Sequence, residues 1–238
     1  MARIDGRGYD ELRKVTLETD FVKFPEGSVL ITCGSTKVLC CASVEQFAPR
    51  HVPEGTGWVT AEYSMLPRAN RERSRRDVSK LKLSPRSAEI QRLIGRSLRA
   101  CVDMEKLGER TITVDCDVLQ GDGGTRTASV TGGFVALSLA LYKLVQEGVL
   151  ESMPLKTCVA AISAGIVDDQ LLLDLCYEED SSAQVDLNCV MTGEGELVEI
   201  QGTGEGRTFT IAEQQALVEL CAKGIREVQA IQKAALGG

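Results

Sequence analysis

The stretch QGDGGTRTASVTGG, residues 120–133, sets glycines at 121, 123 and 124 directly before Thr125 and Arg126. Glycines let an anion come close to the backbone, a threonine adds a hydroxyl donor, and an arginine presents a two-pronged fork matched to the oxygens of a tetrahedral anion. Before the turn, RTITVDCDVLQ alternates apolar Ile112, Val114, Cys116 and Val118 with polar residues, as a half-buried strand does. After it, TASVTGGFVALSLALYKLVQEG is apolar nearly all round, as a core helix is. A strand, a glycine turn and a helix start leave free N–H groups and the positive end of the helix dipole aimed at one spot. A small tetrahedral anion is expected there, with a plain tight connection as the alternative. GxxxxGK[ST] is absent, and GxGxxG cannot be drawn through GDGGTR, so this is not a nucleotide P-loop.

The charge pattern points to a polyanionic partner. The whole chain carries a formal charge of -7, yet residues 68–99 hold eleven Lys and Arg against three Asp and Glu. A net +8 patch on an otherwise acidic chain suits a protein that grips only part of a nucleic acid; a solvated loop is the alternative. Within it LPRANRERSRRDVSKLKLSP lacks a sustained apolar period and reads as an Arg-rich loop. The following AEIQRLIGRSLRACVDMEKLG puts Ile90, Leu93, Ile94, Leu98 and Cys101 on one helical stripe, with Ser87 as expected N-cap and Gly108 as expected end. Arg92, Arg96 and Arg99 fall on the opposite face, free to meet phosphate, solvent or another subunit.

Composition excludes other classes. Of the 238 residues 43% are hydrophobic and only 4% aromatic, the profile of an α/β or α+β protein with few stacking platforms. No uninterrupted apolar run reaches the roughly 18 residues of a membrane span, and MARIDGRGYDELRK shows no leader pattern, so no membrane role and a cytoplasmic setting are expected. The nine cysteines form no CxxC and are scattered through apolar segments, and His51 is the only histidine. Buried thiols in a reducing compartment are expected rather than zinc or disulfides, and His51 is expected in a loop.

EIQRLIGRSLRACVDMEKLGERTITVDCDVLQGDGGTRTASVTGGFVAL, with EYSMLPRANRERSRRD before it and DGR and LR near the start, closely resembles the bacterial ribonuclease PH family, and the likeness runs along essentially the whole chain. The resemblance implies a phosphorolytic 3′ exoribonuclease, a tRNA nucleotidyltransferase that trims 3′ ends of tRNA precursors and other structured RNAs. Inorganic phosphate is the implied co-substrate and nucleoside diphosphates the product. Carried over residue by residue, the phosphate site falls on Arg86, Gly124, Thr125 and Arg126, and the RNA-holding loop on Arg68, Arg71, Arg73, Arg75 and Arg76. In DLCYEEDSSAQVDLNCV the acids Asp180 and Asp186 resemble the family's catalytic carboxylate pair, with Mg²⁺ as the implied ion. In a straight strand six residues span roughly 20 Å, so SSAQV must bend the chain back for both acids to reach one ion. Asp174 is left as a solvated surface acid. The family also implies a ring-shaped homohexamer, a trimer of dimers.

The sequence departs from the family pattern in three places: Lys14 stands where Pro is usual, SPRSAEI where GRTxEI is usual, and Gly121 where Ala is usual. None removes an implied ligand, though the second alters the surroundings of Arg86. Two other readings share parts of this pattern: a catalytically inert ring subunit that only binds RNA, and a metabolite-binding or phosphotransfer enzyme. The first should lose the anion turn or the Asp pair, and the second has no use for the basic patch.

These residues need elements to position them. Strands are expected around 14–22, 28–33, 37–44 and 58–65, then two helices, then strands around 157–204 with a hairpin turn at Asp168 and Asp169. A last helix should open with a capping box from Thr210 to Glu213 and turn Leu217, Cys221, Ile225 and Val228 inward. The expected fold is α+β, a two-layer single domain over residues 1–238 of the ribonuclease PH type, with mixed sheets packed on helices.

Overall fold

Two alternating strand patterns, each met by a long helix, organise the chain. The computed structural model describes residues 3–76, 79 and 82–238; Met1 and Ala2, and Asp77, Val78, Lys80 and Leu81 of the basic segment, lie outside the described residues. In chain order the elements are β1 (Val15–Thr19), β2 (Gly27–Cys33), β3 (Thr36–Glu45), β4 (Trp58–Met65), α1 (Pro85–Cys101), α2 (Met104–Leu107), β5 (Thr111–Gln120) and α3 (Thr125–Gln146). There follow β6 (Val159–Val167), β7 (Gln170–Leu173), α4 (Tyr177–Ser182), β8 (Val185–Thr192), β9 (Leu197–Gly204) and α5 (Ile211–Ala235).

The first sheet runs β1-β2-β3-β5-β4 and is mixed: all neighbours are antiparallel except β4 and β5. A parallel pair needs a crossover, and α1 with α2 supplies it. The second sheet, β7-β6-β8-β9, is antiparallel throughout. Strand β6 is buried on both faces and divides its side chains by parity. Val159 and Ala161 join the core formed by the first sheet, α1 and α3, whereas Ala160, Ile162, Ala164 and Ile166 join Leu217, Cys221, Ile225 and Val228 of α5. The pairing of a sheet with helices thus occurs twice, and α3 is packed between the sheets.

That position explains why α3 is apolar all round. It is long and apolar enough to cross a membrane by length and composition, with a mean hydropathy of 1.5, but 78% of that window is buried inside the protein. Close packing also explains one of its two glycines, since a Cβ at Gly132 would lie 2.7 Å from Ile31 Cγ2 and 2.9 Å from Cys40 Sγ.

Helix α1 starts one turn earlier than its sequence suggests. Ser84, not Ser87, is the N-cap: its hydroxyl accepts from the Ser87 N–H at 3.0 Å, and Pro85 occupies the first helical position, where a missing N–H costs nothing. The helix ends at Cys101, and Gly108, at φ 65, closes the separate turn α2 instead. The expected inward stripe of α1 is buried throughout. Asp168 and Asp169 form the β6–β7 turn with φ of 48° and 58°, and the Thr210–Glu213 capping box is present. All nine cysteines are free, six buried and three half-buried, and His51 is exposed in a loop, edge-on to Trp58.

Candidate active site

Strand β5 delivers the glycine turn to the edge of the core. Gly123 and Gly124 both have positive φ, 73° and 64°, and a Cβ at Gly123 would sit 2.5 Å from the Leu175 carbonyl oxygen. Only glycine serves at that position. The turn is held from three sides. Thr36 of β3 donates its hydroxyl to the Gly123 carbonyl at 2.7 Å and accepts from the Asp122 N–H at 2.9 Å, Arg13 donates to the Asp122 carbonyl, and the Tyr177 N–H of α4 donates to the Asp122 carboxylate. Gly124 then starts α3 with no side-chain cap, which leaves the helix's first N–H groups for an outside acceptor.

Around this corner stand the expected anion ligands. Thr125 is buried, its hydroxyl 2.9 Å from that of Tyr63 on β4. Arg126, one residue on, anchors its Nη1 to Gln201 Oε1 of β9 at 2.7 Å and to Glu89 Oε1 of α1 at 3.3 Å. Arg86 is exposed in the first turn of α1 and makes no hydrogen bond or ion pair among the described residues. Its charge and that of Arg126 reach both Tyr63 and Asp180, which places the two guanidiniums over one region.

The carboxylates arrive there from a bend that the sequence showed only as SSAQV. The six residues Tyr177–Ser182 form the short helix α4, the chain turns through Ala183 and Gln184, and β8 begins at Val185. Asp180 on α4 and Asp186 on β8 therefore feel each other's charge. Burial chiefly, then the Asp180 charge, pushes Asp186 up to about 6, against the opposing pull of Arg126 and a hydrogen bond from Asn188 at 3.2 Å. Burial also raises Asp180, opposed by Arg86 and Arg126. Asp186 Oδ1 is buried with no hydrogen-bond partner. A buried, unpaired carboxylate oxygen beside a second carboxylate invites a cation. Among the described residues no group of three or more His, Cys, Asp or Glu is arranged around one ion. The donor set is all oxygen and limited to two carboxylates, which suits Mg²⁺, an ion that keeps several waters.

Asp174 corrects its sequence reading. It is 2% exposed rather than solvated, and its carboxylate takes the Arg13 backbone N–H and both prongs of the Arg13 guanidinium at 2.6 and 3.0 Å, with Arg7 at 3.6 Å. Arg3 in turn grips Glu179 with two bonds of 2.6 and 2.8 Å. The N-terminal arginines so bolt the loop before α4, and α4 itself, to the glycine turn. The only sequence signal was the LR and DGR motifs, which supply Arg13 and Arg7. Asp174→Ala leaves Arg13 buried without its partner, and urea unfolding should show a loss of about 3 to 5 kcal/mol; a loss below about 1 kcal/mol would contradict the pairing.

Of the Arg-rich loop, Arg68, Arg71, Arg73, Arg75 and Arg76 are all exposed. Arg71 pairs with Glu178 of α4 and lies 5.9 Å over the Tyr177 ring, which ties the loop to the helix that carries Asp180. Arg68 donates to the Arg71 carbonyl, and the charge of Arg76 reaches Asp117 on β5. Arg73, Arg75 and Arg76 make no side-chain hydrogen bond or ion pair among the described residues. On α1, Arg96 is paired in two-pronged fashion with Glu199 and Arg99 stacks 4.3 Å over Trp58, whereas Arg92 is exposed.

An uncapped helix start, a carboxylate pair within reach of the Arg126 charge and an arginine-rich rim are together suited to a protein that works on the phosphate of a polyanion. Family models agree: residues 11–142 match the 3′ exoribonuclease family, domain 1, and residues 157–224 match its domain 2. The chain is 57% identical to Ribonuclease PH of Moorella thermoacetica over 100% of this chain and 95% of that one, and 57% identical to Ribonuclease PH of Bacillus subtilis over 99% and 97%. Its fold matches rice Rrp46 with a TM-score of 0.82 at 16% identity, covering 99% and 100% of the two chains. It also matches an Archaeoglobus fulgidus exosome with RNA bound to the active site, with a TM-score of 0.78 at 23% identity, covering 96% and 92%. The chain belongs to the ribonuclease PH group of the 3′ exoribonuclease family.

Proposed function

We propose that inorganic phosphate, seated on the Gly124–Thr125–Arg126 corner with Arg86 beside it, attacks the last phosphodiester of an RNA held by the Arg68–Arg76 loop. The protein is a phosphate-dependent 3′ to 5′ exoribonuclease of tRNA processing, with RNA as substrate and phosphate as co-substrate. A phosphate oxygen bonds to the terminal phosphorus, the bond from that phosphorus to the 3′ oxygen of the preceding ribose breaks, and a nucleoside diphosphate departs. The shortened RNA keeps a 3′ hydroxyl. The observation that carries this reading is the uncapped start of α3 at Gly124, with the charge of Arg126, two residues on, reaching both Asp180 and Asp186.

Each group has a physical task. The N–H groups of α3 and the Arg126 and Arg86 guanidiniums offset charge on the attacking and transferring phosphates without reorganising. Asp180 and Asp186 would hold Mg²⁺, which when bound supplies further positive charge to the transferring group. A carboxyl of the pair with no cation on it can protonate the leaving 3′ oxygen; burial raises both, which favours the protonated form there. With aromatics at 4%, RNA is held mainly through its phosphates and with little base preference. The working assembly is a homohexamer, a trimer of dimers, in the cytoplasm.

Incubation with a short RNA, Mg²⁺ and labelled orthophosphate should place the label in nucleoside diphosphates. Unlabelled nucleoside monophosphates, formed equally well without phosphate, would reject the reading. Neutralising Arg68, Arg73 and Arg76 together should flatten the salt dependence of RNA binding, by about 0.7 in log–log slope for each lost phosphate contact, with turnover at saturating RNA changed much less. An unchanged slope would make the loop a solvated surface.

A further inference from the structure

The anion corner contains a carboxylate that an anion site does not need for charge. Glu89 lies one turn after Arg86 on α1, and its Oε1 accepts from Arg126 Nη1 at 3.3 Å and from Gln201 Nε2 at 3.0 Å. Gln201 is itself fixed. Its Nε2 also faces Glu199 Oε1 at 3.2 Å, Glu199 is pinned by the Arg96 fork, and its Oε1 takes Arg126 Nη1 at 2.7 Å. With carboxylates on its N–H side and a guanidinium on its carbonyl side, the amide has one orientation that satisfies every neighbour. Two consequences follow. Among the described residues Arg126 is held by Nη1 alone, which leaves its Nε and Nη2 edge for two-pronged contact with an anion. Glu89 uses only Oε1 in these bonds; among the described residues its other oxygen accepts no hydrogen bond, and the carboxylate borders the corner through its contact with Arg126 Nη1.

A bare carboxylate oxygen repels any anion that can only accept hydrogen bonds, and it attracts one that still carries an O–H. Near neutral pH inorganic phosphate keeps a proton, whereas sulfate, of the same shape, keeps none. We propose that Glu89 makes the corner selective for protonated phosphate over sulfate, and that Gln201 is the positioning residue that keeps Glu89 and Arg126 in register. The proposal rests on the assignment of the attacking phosphate to the Thr125–Arg126 corner. It gives a role to an acid that otherwise weakens the site it borders.

The test measures the KM for phosphate and the inhibition constant of sulfate against phosphate, with one short RNA and fixed Mg²⁺, at constant ionic strength. The ratio of sulfate to phosphate constants should fall at least tenfold in Glu89→Gln, mostly because sulfate binds more tightly. Gln201→Ala should lower the same ratio by a smaller factor and raise the KM for phosphate. Arg126→Ala should weaken both anions together. If Glu89→Gln leaves the ratio unchanged while Arg126→Ala weakens both anions, the selectivity proposal is overturned and the site stands. If Arg126→Ala alters neither constant, the corner is not the anion site and both ideas fail.

Discussion

Arg126→Ala is expected to raise the phosphate requirement and slow phosphorolysis by about two to four decades while RNA affinity stays nearly intact. Loss of a charge-assisted, two-pronged contact to a transition state is worth on the order of 3 to 5 kcal/mol. The stability of the protein should hardly change, because Arg126 is partly exposed and its partners Gln201 and Glu89 have each other and, through Gln201, Glu199. The RNA grip is proposed for other residues, the exposed arginines of the loop between β4 and α1. Rate against phosphate concentration, with RNA binding assayed in parallel, separates the two. A variant that lost RNA affinity and kept its phosphate dependence would make GDGGTR an RNA-holding turn.

The second large effect is expected at the carboxylate pair, where Asp186→Asn should abolish turnover and yet make the protein more stable. The half-buried Asp186 carboxyl is raised from 3.8 to about 6, so the folded state binds its proton more tightly than the unfolded chain does. Its ionised form therefore opposes folding fully above about pH 6, and the penalty fades as the pH falls toward 4. Removing the charge should stabilise by on the order of 2 kcal/mol at pH 8 and by almost nothing at pH 4. The same charge, with the unpaired Oδ1, makes the site ready for a cation, so Mg²⁺ should raise the melting temperature of the wild type and leave that of Asp186→Asn unchanged. Thermal unfolding at the two pH values, with and without Mg²⁺, checks each part. A destabilised variant at pH 8, or equal Mg²⁺ responses, would remove Asp186 from the metal site.

Periodicity made most of the fold legible. The alternation in TITVDCDVLQ and the all-round apolarity after Thr125 each report local burial, so β5, α3 and the turn between them were readable without a partner in view. The Thr210 capping box and the stripe of α5 are local in the same way. Helix α4 escaped because six residues, four of them Ser, Asp or Glu before the last serine, carry no apolar period and read as a solvated bend. Asp174 escaped for a different reason. Its partner Arg13 is 161 positions away, and only the chain's three-dimensional path brings them together. Ser84 and Ser87 are both residues that can cap, and Pro85, suited to the first helical position, goes with the earlier start. The network of Glu89, Gln201 and Arg126 joins three elements and has no sequence signature.

The position of the attacking phosphate is tested most directly by a crystal structure of the protein with inorganic phosphate. Tetrahedral density is expected against the Thr125 and Arg126 end of α3, within hydrogen-bond distance of the Thr125 hydroxyl and the Nε–Nη2 edge of Arg126, with Arg86 closing over it. Phosphate bound among the arginines of residues 68–76, with the Gly124–Arg126 turn empty, would contradict it.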